Sequence, residues 1–385
     1  MRYHSYLNTA IKIIESYKGD IPFAIFIKKY FSANKKLGAK DRKQVSALCY
    51  NYFRLGKALP QLPVDEKIIV SVFLCNRHTN EFLQFHKPEW NQKISVPLEV
   101  KLETANIDIT KVFPFNYELS TGIDFESFNK SFFYQPGLFL RIRPGNKDEA
   151  IKKLQEAGLE FELLPGNCIA LANAINIDSL FKVDKEVVVQ DCNSQKVLDI
   201  LKDDKIQTGN LLVWDCCAAS GGKSILVYDI LLGKIKLTVS DIRESILANL
   251  KKRFEKAGIK KYQSFIADLS VENCSLPKTN YQLIICDAPC TGSGTWSRTP
   301  EQLFYFNPQK IDEYCTLQKK IVRNAIKQLQ PGGMFIYITC SVFKKENEDV
   351  ANFIKSDLKM KLIKMELLKG YNNKADSMFV AVFKN

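Results

Sequence analysis

Two cysteines in the C-terminal third of this 385-residue chain each follow an apolar segment that predicts a β-strand. Cys290 follows the run 283–286 through an Asp287-Ala288-Pro289 segment, and Cys340 comes just after the run 334–338. An acid, a stiffening proline and a thiol at the mouth of a loop are typical of a catalytic or binding site. Because the two predicted strands can be neighbours in a sheet, we expect both thiols to lie in one site.

The positions of the other reactive side chains limit the chemistry of these thiols. The chain has three histidines, His4, His78 and His86, and all of them lie in its first quarter. The C-terminal half therefore cannot form a Cys-His or Ser-His-Asp site, and another group must activate the thiols. The chain has 11 cysteines, but no pair has the C-x-x-C spacing of a zinc site. We expect no metal.

The composition favours a polyanionic partner. Lys and Arg number 55 against 42 Asp and Glu, which gives a net charge of +13 and a sequence pI near 9.1. Nucleic acid is the usual partner of such a chain. No apolar run approaches the roughly 20 residues that a membrane span needs, and the N-terminus has no signal-peptide pattern. We expect a cytoplasmic monomer that binds RNA and has no membrane partner.

The pattern of apolar residues divides the chain into three predicted domains. Residues 1–130 have helical periodicity and a basic segment, and they predict an all-helical domain. Residues 131–195 predict a small α+β module, of the RRM or ferredoxin-like kind, whose Arg141 and Arg143 could face RNA phosphates. Residues 196–385 alternate strands and helices, which predicts an open, mostly parallel α/β sheet with its ligand at the carboxyl ends of the strands.

The first strand of the α/β domain ends in a glycine turn, 215–224, that contains Gly221 and Gly222. A P-loop is excluded because that motif needs a glycine where Cys217 stands. Acids follow three further strands, at Asp241, Asp268 and Asp287. Although a lone aspartate at such a place is often a helix cap, three of them with a glycine turn resemble the layout of S-adenosylmethionine (SAM) methyltransferases.

Together these motifs resemble the RsmB/Nop/Sun-type RNA 5-methylcytosine methyltransferases. The resemblance rests on the Asp287-to-Cys290 segment with Gly292 and Gly294, on Thr339-Cys340-Ser341 with Glu346-Asn347-Glu348, on the glycine turn, and on the segments 190–195 and 376–381. It covers residues from about 136 to 385. The N-terminal part, with its segment 37–42, more loosely resembles the NusB-like domain of the bacterial RsmB branch, whose substrate is 16S ribosomal RNA.

The resemblance implies a class I SAM-dependent methyltransferase fold with a seven-stranded sheet, and it implies roles for named residues. Cys340 would add to carbon 6 of cytosine, Cys290 would assist release of the product, Asp287 would contact the ring, and Lys223 would lower a thiol pKa. The implied SAM site comprises Cys217, Ala218, Ala219, Ser220, Gly221, Gly222, Lys223, Asp241, Arg243, Asp268 and Asp287. Ser220 departs from the family, which usually has proline there.

Two alternatives to ribosomal RNA methylation stay open at this point. One is a transfer RNA cytosine-5 methyltransferase, because the motifs do not name the RNA. The other is a non-catalytic RNA-binding factor of ribosome assembly that retains the fold, against which the intact Cys290, Cys340, Asp287 and Lys223 argue. DNA cytosine methyltransferases, which lack the second Thr-Cys motif, and amine methyltransferases fit less well.

Overall fold

The computed structural model describes residues 2–173, 175–203, 210–272, 274 and 276–385. The α-helices are α1 (Arg2–Ser16), α2 (Phe23–Ala33), α3 (Ala39–Arg54), α4 (Val64–Cys75), α5 (Glu81–His86), α6 (Pro88–Gln92), α7 (Leu98–Thr104), α8 (Phe125–Ser131), α9 (Lys147–Glu156), α10 (Cys192–Lys196), α11 (Gly222–Ile230), α12 (Glu244–Ala257), α13 (Pro300–Tyr305), α14 (Gln309–Ile326) and α15 (Glu348–Ser356). The strands are β1 (Leu138–Ile142), β2 (Phe161–Leu164), β3 (Cys168–Leu171), β4 (Val187–Val189), β5 (Leu211–Asp215), β6 (Ile235–Asp241), β7 (Tyr262–Ile266), β8 (Tyr281–Asp287), β9 (Leu329–Thr339), β10 (Lys361–Leu368) and β11 (Met378–Lys384).

The first of two compact units is helical, as the periodicity predicts. It comprises Met1–Tyr117, Gly122–Gln135 and Thr295–Asn307. Helix α3 illustrates why these segments fold as helices: Val45, Leu48, Cys49, Tyr52 and Phe53 are buried, and their spacing places them on one face. None of the described helices is long and apolar enough to cross a membrane.

The second unit, Glu118–Thr121, Pro136–Gly294 and Pro308–Asn385, contains a seven-stranded sheet of order β10-β11-β9-β8-β5-β6-β7. The five strands from β9 to β7 in that order are parallel, and β11 and β10 are antiparallel additions at one edge. Strand β5 pairs with β6 on one side and with β8 on the other. The strand order reverses there, and open α/β sheets bind their ligands at such a point. The predicted α/β domain is confirmed.

Both faces of this sheet are covered, so its strands are apolar on both sides. Successive residues of β5 illustrate the alternation: Val213 packs with apolar residues of α11 and α12, whereas Trp214 packs on the opposite face with those of α14 and α15. The strand ends are consequently the places where polar side chains of the central strands reach solvent.

A second, four-stranded sheet in the same unit has the order β2-β3-β1-β4, with all neighbours antiparallel. Along the chain, helix α9 connects β1 to β2. In the sheet, β3 lies between these two strands. This is the split βαβ arrangement of ferredoxin-like folds, as predicted. Whether each of the three predicted domains folds by itself stays a prediction.

The interpretation of Arg141 and Arg143 as RNA-facing residues is wrong. Arg141 is 5% exposed and Arg143 is 9% exposed, and both guanidinium groups bind the Asp229 carboxylate of α11, at 2.6 and 2.7 Å. Because Asp229 lies 86 residues or more along the chain, the sequence pattern of β1 gave no sign of this partner. The two arginines fasten the small sheet to the large one.

The sequence pattern also predicts a helix cap at Asp41, a turn at 331–333 before the strand that starts at Met334, and a strand that starts at Lys359. The structure differs at all three places. Asp41 does not precede α3 as its cap; it lies in the first turn, where its carboxylate accepts a hydrogen bond from the Gly38 amide at 3.2 Å. The Pro331-Gly332-Gly333 segment lies inside β9 and not before it, opposite a register irregularity in β8. Strand β10 begins at Lys361 and not at Lys359, because Lys359 has a left-handed φ of 58°.

Candidate active site

The two predicted site thiols lie together. Strands β8 and β9 are parallel neighbours, with Asp287 opposite Ile338, so Cys290 and Cys340 leave the sheet at the same edge. Their sulfur atoms are 3.3 Å apart, within hydrogen-bond distance, and both residues are only partly buried. The two thiols therefore lie next to each other, as the order of the strands predicts, and their role in one active site stays a prediction.

Glu346 holds the two thiol loops together. Its carboxylate accepts hydrogen bonds from the Thr291 amide at 2.8 Å and the Thr291 hydroxyl at 2.6 Å, and it also accepts one from the Ser341 hydroxyl. Thr291 follows Cys290 and Ser341 follows Cys340, so one buried carboxylate fixes the backbone next to both sulfurs. Burial raises the pKa of Glu346, and the hydrogen bonds from Ser341 and Thr291 oppose that rise.

Gly294 allows the backbone of the Cys290 loop to pass close to the backbones of Cys340 and Ser377. The Gly294 amide donates to the Cys340 carbonyl at 2.9 Å, and the Gly294 carbonyl accepts from the Ser377 amide at 3.0 Å. A Cβ on Gly294 would lie 2.2 Å from the Ser377 carbonyl oxygen, so no side chain fits there. The segment 376–381 that carries part of the family resemblance thus supports the Cys290 loop.

A lysine–aspartate pair lies beside the thiols. Lys223, in the first turn of α11, places its ammonium 3.1 Å from the Asp287 carboxylate and donates to the Ser194 hydroxyl at 2.8 Å. Asp191 caps α10 and also accepts from the Asp376 amide at 2.9 Å, which holds the helix that carries Ser194. The segment 190–195 therefore positions Lys223 and lies at the same site.

The charges of this group favour a protonated lysine and one protonated thiol. Burial by itself lowers the pKa of the Lys223 ammonium. The charge of Asp287 and its hydrogen bond act in the opposite direction, and the net result is a raised pKa. Cys340 lies near enough to Lys223 for their charges to interact. The hydrogen bond with Cys340, together with burial, raises the pKa of Cys290 well above its ordinary value. Cys290 therefore retains its proton at neutral pH.

The glycine turn after β5 adopts a constrained backbone. Ala219 has a φ of 46° and Gly221 a φ of 85°, and a Cβ on Gly221 would meet Phe254 at 2.8 Å. The Ala219 amide donates to the Asp241 carboxylate at 3.0 Å, so the turn is held against the end of β6. The Ala218 amide donates to the Ser240 carbonyl at 2.9 Å in the same way.

The other predicted cofactor residues surround this turn. Arg243 binds the Asp241 carboxylate at 3.0 Å, and the Arg243 guanidinium and Cys217 lie close enough for their charges to interact. Asp268, at the end of β7, accepts hydrogen bonds from the Ser270 amide and hydroxyl at 2.9 and 2.6 Å. Ser220, the departure from the family proline, accepts a hydrogen bond from Arg253 at 3.1 Å, which ties its side chain to α12.

Two observations fit a ligand at this turn. A Cβ placed on Gly222, at the start of α11, would meet open space. Asp215, at the end of β5, is fully buried, and its Oδ1 atom has no hydrogen-bond partner in the described part of the chain, while Oδ2 accepts from Ser224 at 2.6 Å.

Trp296 is not available for stacking on a base: it is 1% exposed and packs against Phe113 and Phe306.

The buried Asp215 carboxyl should make the unfolding free energy depend on pH in the direction opposite to that expected for most carboxylates, whose pKa is lowered by folding. Burial raises its pKa from 3.8 to about 7, so between these values the unfolded chain is ionised while the folded protein holds the proton. We expect the unfolding free energy to fall as pH rises through that window, by at most about 4 kcal/mol from this group. Asp215→Asn should remove this fall.

Chemical denaturation of both proteins at several pH values between 4 and 8 measures this effect. The difference in unfolding free energy between Asp215→Asn and the wild type should shift in favour of the variant as pH rises. A difference that stays constant across this range would contradict a buried, protonated Asp215.

Three functional positions were not predicted as site residues. Glu346 was part of a motif but had no assigned role, and Ser194 and Asp215 had none either. Glu346 and Asn347 are fully buried although their segment is polar, so hydropathy would place them on the surface. Their position along the chain could have identified them, because polar residues that follow the end of a strand within a motif tend to lie near the ligand.

Comparison with known proteins agrees with this geometry. Residues 199–383 match the family model described as 16S rRNA methyltransferase RsmB/F. Ribosomal RNA small subunit methyltransferase B of Xanthomonas campestris is 27% identical over 219 residues, which are 54% of this chain and 47% of that protein. The corresponding protein of Enterobacter sp. is 29% identical over 57% of this chain and 52% of its own length. The chain spans about half the length of the curated relatives it matches.

Solved structures share the fold. The structure of PH0851 covers 98% of this chain and 97% of its own, with a TM-score of 0.70 and 20% identity. The structure of NSun6 from Pyrococcus horikoshii with SFG covers 68% of this chain and 94% of its own, with a TM-score of 0.57 and 13% identity. The seven-stranded sheet is the Rossmann-like sheet of class I SAM-dependent methyltransferases, as predicted.

Proposed function

We propose that this protein, whose residues 199–383 match the RsmB/F methyltransferase family model, methylates carbon 5 of a cytosine in RNA with SAM as methyl donor. The observation that carries the proposal is the pair of thiols, Cys290 and Cys340, 3.3 Å apart at the ends of adjacent parallel strands. We propose small-subunit ribosomal RNA as the substrate, the RNA in the names of the relatives.

The chemistry needs both thiols because carbon 5 of cytosine is a poor nucleophile. The Cys340 thiolate adds to carbon 6, and the electron pair moves through the ring so that carbon 5 becomes an enamine carbon. When bound, SAM supplies an electrophilic methyl group, which carbon 5 takes. Carbon 5 then loses its proton to a base, and the Cys340 thiolate leaves carbon 6. Cys290, next to Cys340, assists this release.

Lys223 and Asp287 support the addition step. The ammonium of Lys223 stays protonated beside Asp287, and it lies close enough to Cys340 for their charges to interact. The Asp287 side chain remains 30% exposed, which leaves an oxygen able to meet the edge of a cytosine ring. By accepting a hydrogen bond from a protonated ring N3, this carboxylate would hold the proton there and favour addition at carbon 6.

The chain's own residues fit the methyl donor at the adjacent turn. The open space at Gly222 and the strand-end acids Asp241 and Asp268 surround the carboxyl ends of β5, β6 and β7. We propose that Ala218 to Gly222 hold the amino-acid part of the donor, that Asp241 holds the ribose hydroxyls, and that Asp268 holds the adenine amine. Cys217, Arg243 and Asp287 complete that set.

The helical unit supplies a surface suited to RNA phosphates. The segment that spans the end of α2, the following loop and the start of α3 has seven basic side chains, all exposed: Lys28, Lys29, Lys35, Lys36, Lys40, Arg42 and Lys43. Such clusters bind nucleic acid through phosphates and without sequence preference. Because carbon 5 chemistry needs an unstacked base, the target cytosine must be single-stranded or flipped out, at roughly a few kcal/mol.

Incubation of the purified protein with labelled SAM and either small-subunit ribosomal RNA or transfer RNA tests the proposal. We expect label in ribosomal RNA as 5-methylcytidine, none with Cys340→Ala, and unchanged labelling with Cys49→Ala, a buried thiol of α3 in the helical unit. Label in transfer RNA would support the alternative substrate. SAM binding without methylation of either RNA would favour a non-catalytic assembly factor.

A further inference from the structure

A second group of thiols lies at the base of the glycine turn. The sulfur atoms of Cys216, Cys217 and Cys286 all lie within 4.8 Å of one another, although 69 residues separate Cys217 from Cys286 along the chain. Cys216 and Cys286 are 2% and 0% exposed, and Cys217 is partly exposed. Neither Cys216 nor Cys286 has a part in the methyl-transfer site described above.

The backbone that carries these thiols is rigid. Cys286 lies within β8, and the Cys216 amide donates to the Ile285 carbonyl at 2.9 Å, so the two segments are joined as neighbouring strands. The Cys216 carbonyl accepts from the Ser240 hydroxyl at 3.1 Å. Cys216 and Cys217 lie in the turn directly after β5, and Cys286 lies in β8. The central sheet therefore holds the three sulfurs close together, which is the preorganisation that a binding site needs.

The chemistry of three converging thiols is that of a soft-metal site. With metal–sulfur distances of about 2.3 Å, the ligand sulfurs of a tetrahedral zinc site lie about 3.8 Å apart. The sulfurs of this cluster lie within 4.8 Å of one another, so small side-chain movements would let all three bind one ion. Thiolates select zinc and other thiophilic ions over magnesium or calcium.

We propose that Cys216, Cys217 and Cys286 bind one thiophilic divalent cation such as Zn²⁺, with the fourth coordination position open on the side of Cys217. Binding releases the thiol protons to solvent, so the affinity falls as pH is lowered. Because Cys217 also belongs to the turn proposed to hold the methyl donor, the cation would lie next to that site. The metal site itself does not depend on methyl transfer.

Titration with Cd²⁺, which gives a thiolate charge-transfer absorption, tests the proposal in the full-length protein. The catalytic pair would also bind Cd²⁺, so the parent for this experiment is the Cys290→Ala/Cys340→Ala protein. We expect the parent to bind Cd²⁺ with a thiolate absorption band. Cys216→Ser and Cys286→Ser, each added to the parent, should weaken binding by more than about 100-fold.

A matched control is Cys168→Ser, which breaks a contact between two other buried thiols, Cys168 and Cys192, and should leave Cd²⁺ affinity unchanged. X-ray absorption of the Cd²⁺-loaded parent should show three sulfur neighbours, and this result decides the matter even if a variant fails to fold. Fewer than three sulfurs would overturn the proposal. So would binding by Cys216→Ser and Cys286→Ser as tight as that of the parent.

Discussion

Cys290→Ala is expected to accumulate a covalent protein–RNA adduct that survives denaturing electrophoresis, whereas Cys340→Ala should accumulate none. In the proposed reaction Cys340 forms the bond to carbon 6, and Cys290 is needed to break it. The electrostatics of the site support this division. The pKa of Cys290 is raised by its hydrogen bond with Cys340 and by burial, so Cys290 holds its proton and is a poor nucleophile.

The turnover of both variants should be lower than that of the wild type, and the loss should be greater for Cys340→Ala. Loss of the nucleophile in Cys340→Ala should lower turnover by on the order of 10⁴-fold or more. Loss of the assisting thiol in Cys290→Ala should lower it by roughly 10²- to 10⁴-fold, because a general acid or base contributes about that much. The measurement is gel mobility of the protein with ribosomal RNA and SAM, together with single-turnover methylation rates.

Cys49→Ala, a buried thiol of α3, controls for the loss of a buried thiol as such, and it should neither trap RNA nor slow turnover. Adduct from Cys340→Ala and none from Cys290→Ala would reverse the two roles. If neither variant forms an adduct while the wild type methylates RNA at carbon 5, a covalent step through these thiols is excluded. Mapping of the crosslinked nucleotide would identify the target cytosine.

Asp229→Ala is expected to lower the unfolding free energy by about 3–5 kcal/mol, since it leaves two buried arginines without their counter-ion. Arg141 and Arg143 bind the two oxygens of this carboxylate at 2.6 and 2.7 Å, with side-chain exposures of 6% and 10%. Arg143 retains the Asp184 and Ala257 carbonyls as acceptors after the substitution. Carbonyl oxygens do not neutralise a guanidinium charge, so most of the penalty remains.

Urea denaturation of the variant and the wild type measures this loss. Glu366→Ala is the matched control, because Glu366 pairs with Lys364 at 2.6 Å but both side chains are more than 40% exposed. Exposed pairs of this kind contribute about 1 kcal/mol or less. A loss in Asp229→Ala no greater than that of Glu366→Ala would contradict the interpretation that the buried arginine pair fastens the two sheets together.

The sequence by itself determined the architecture of the α/β unit and the position of its candidate active site. Apolar runs such as 283–286 and 334–338 are typical of strands covered on both faces, and the parallel arrangement brings all their carboxyl ends to one edge. Cys290, Cys340 and Asp287 follow those runs directly. Their convergence was therefore predictable from local pattern, because residues next to a strand end cannot lie far from that edge of the sheet.

Only the tertiary structure decided which distant side chains meet. Arg141 and Arg143 have the sequence pattern of an RNA-binding strand, but Asp229 of α11 makes them a buried ion pair. Glu346 lies in a polar segment, but Thr291 and Ser341 bury it between the two thiol loops. The cluster of Cys216, Cys217 and Cys286 has no spacing motif, because its members come from the turn after β5 and from β8. Sequence periodicity reports the face on which a side chain lies, whereas the partner of a buried polar group depends on which elements pack there.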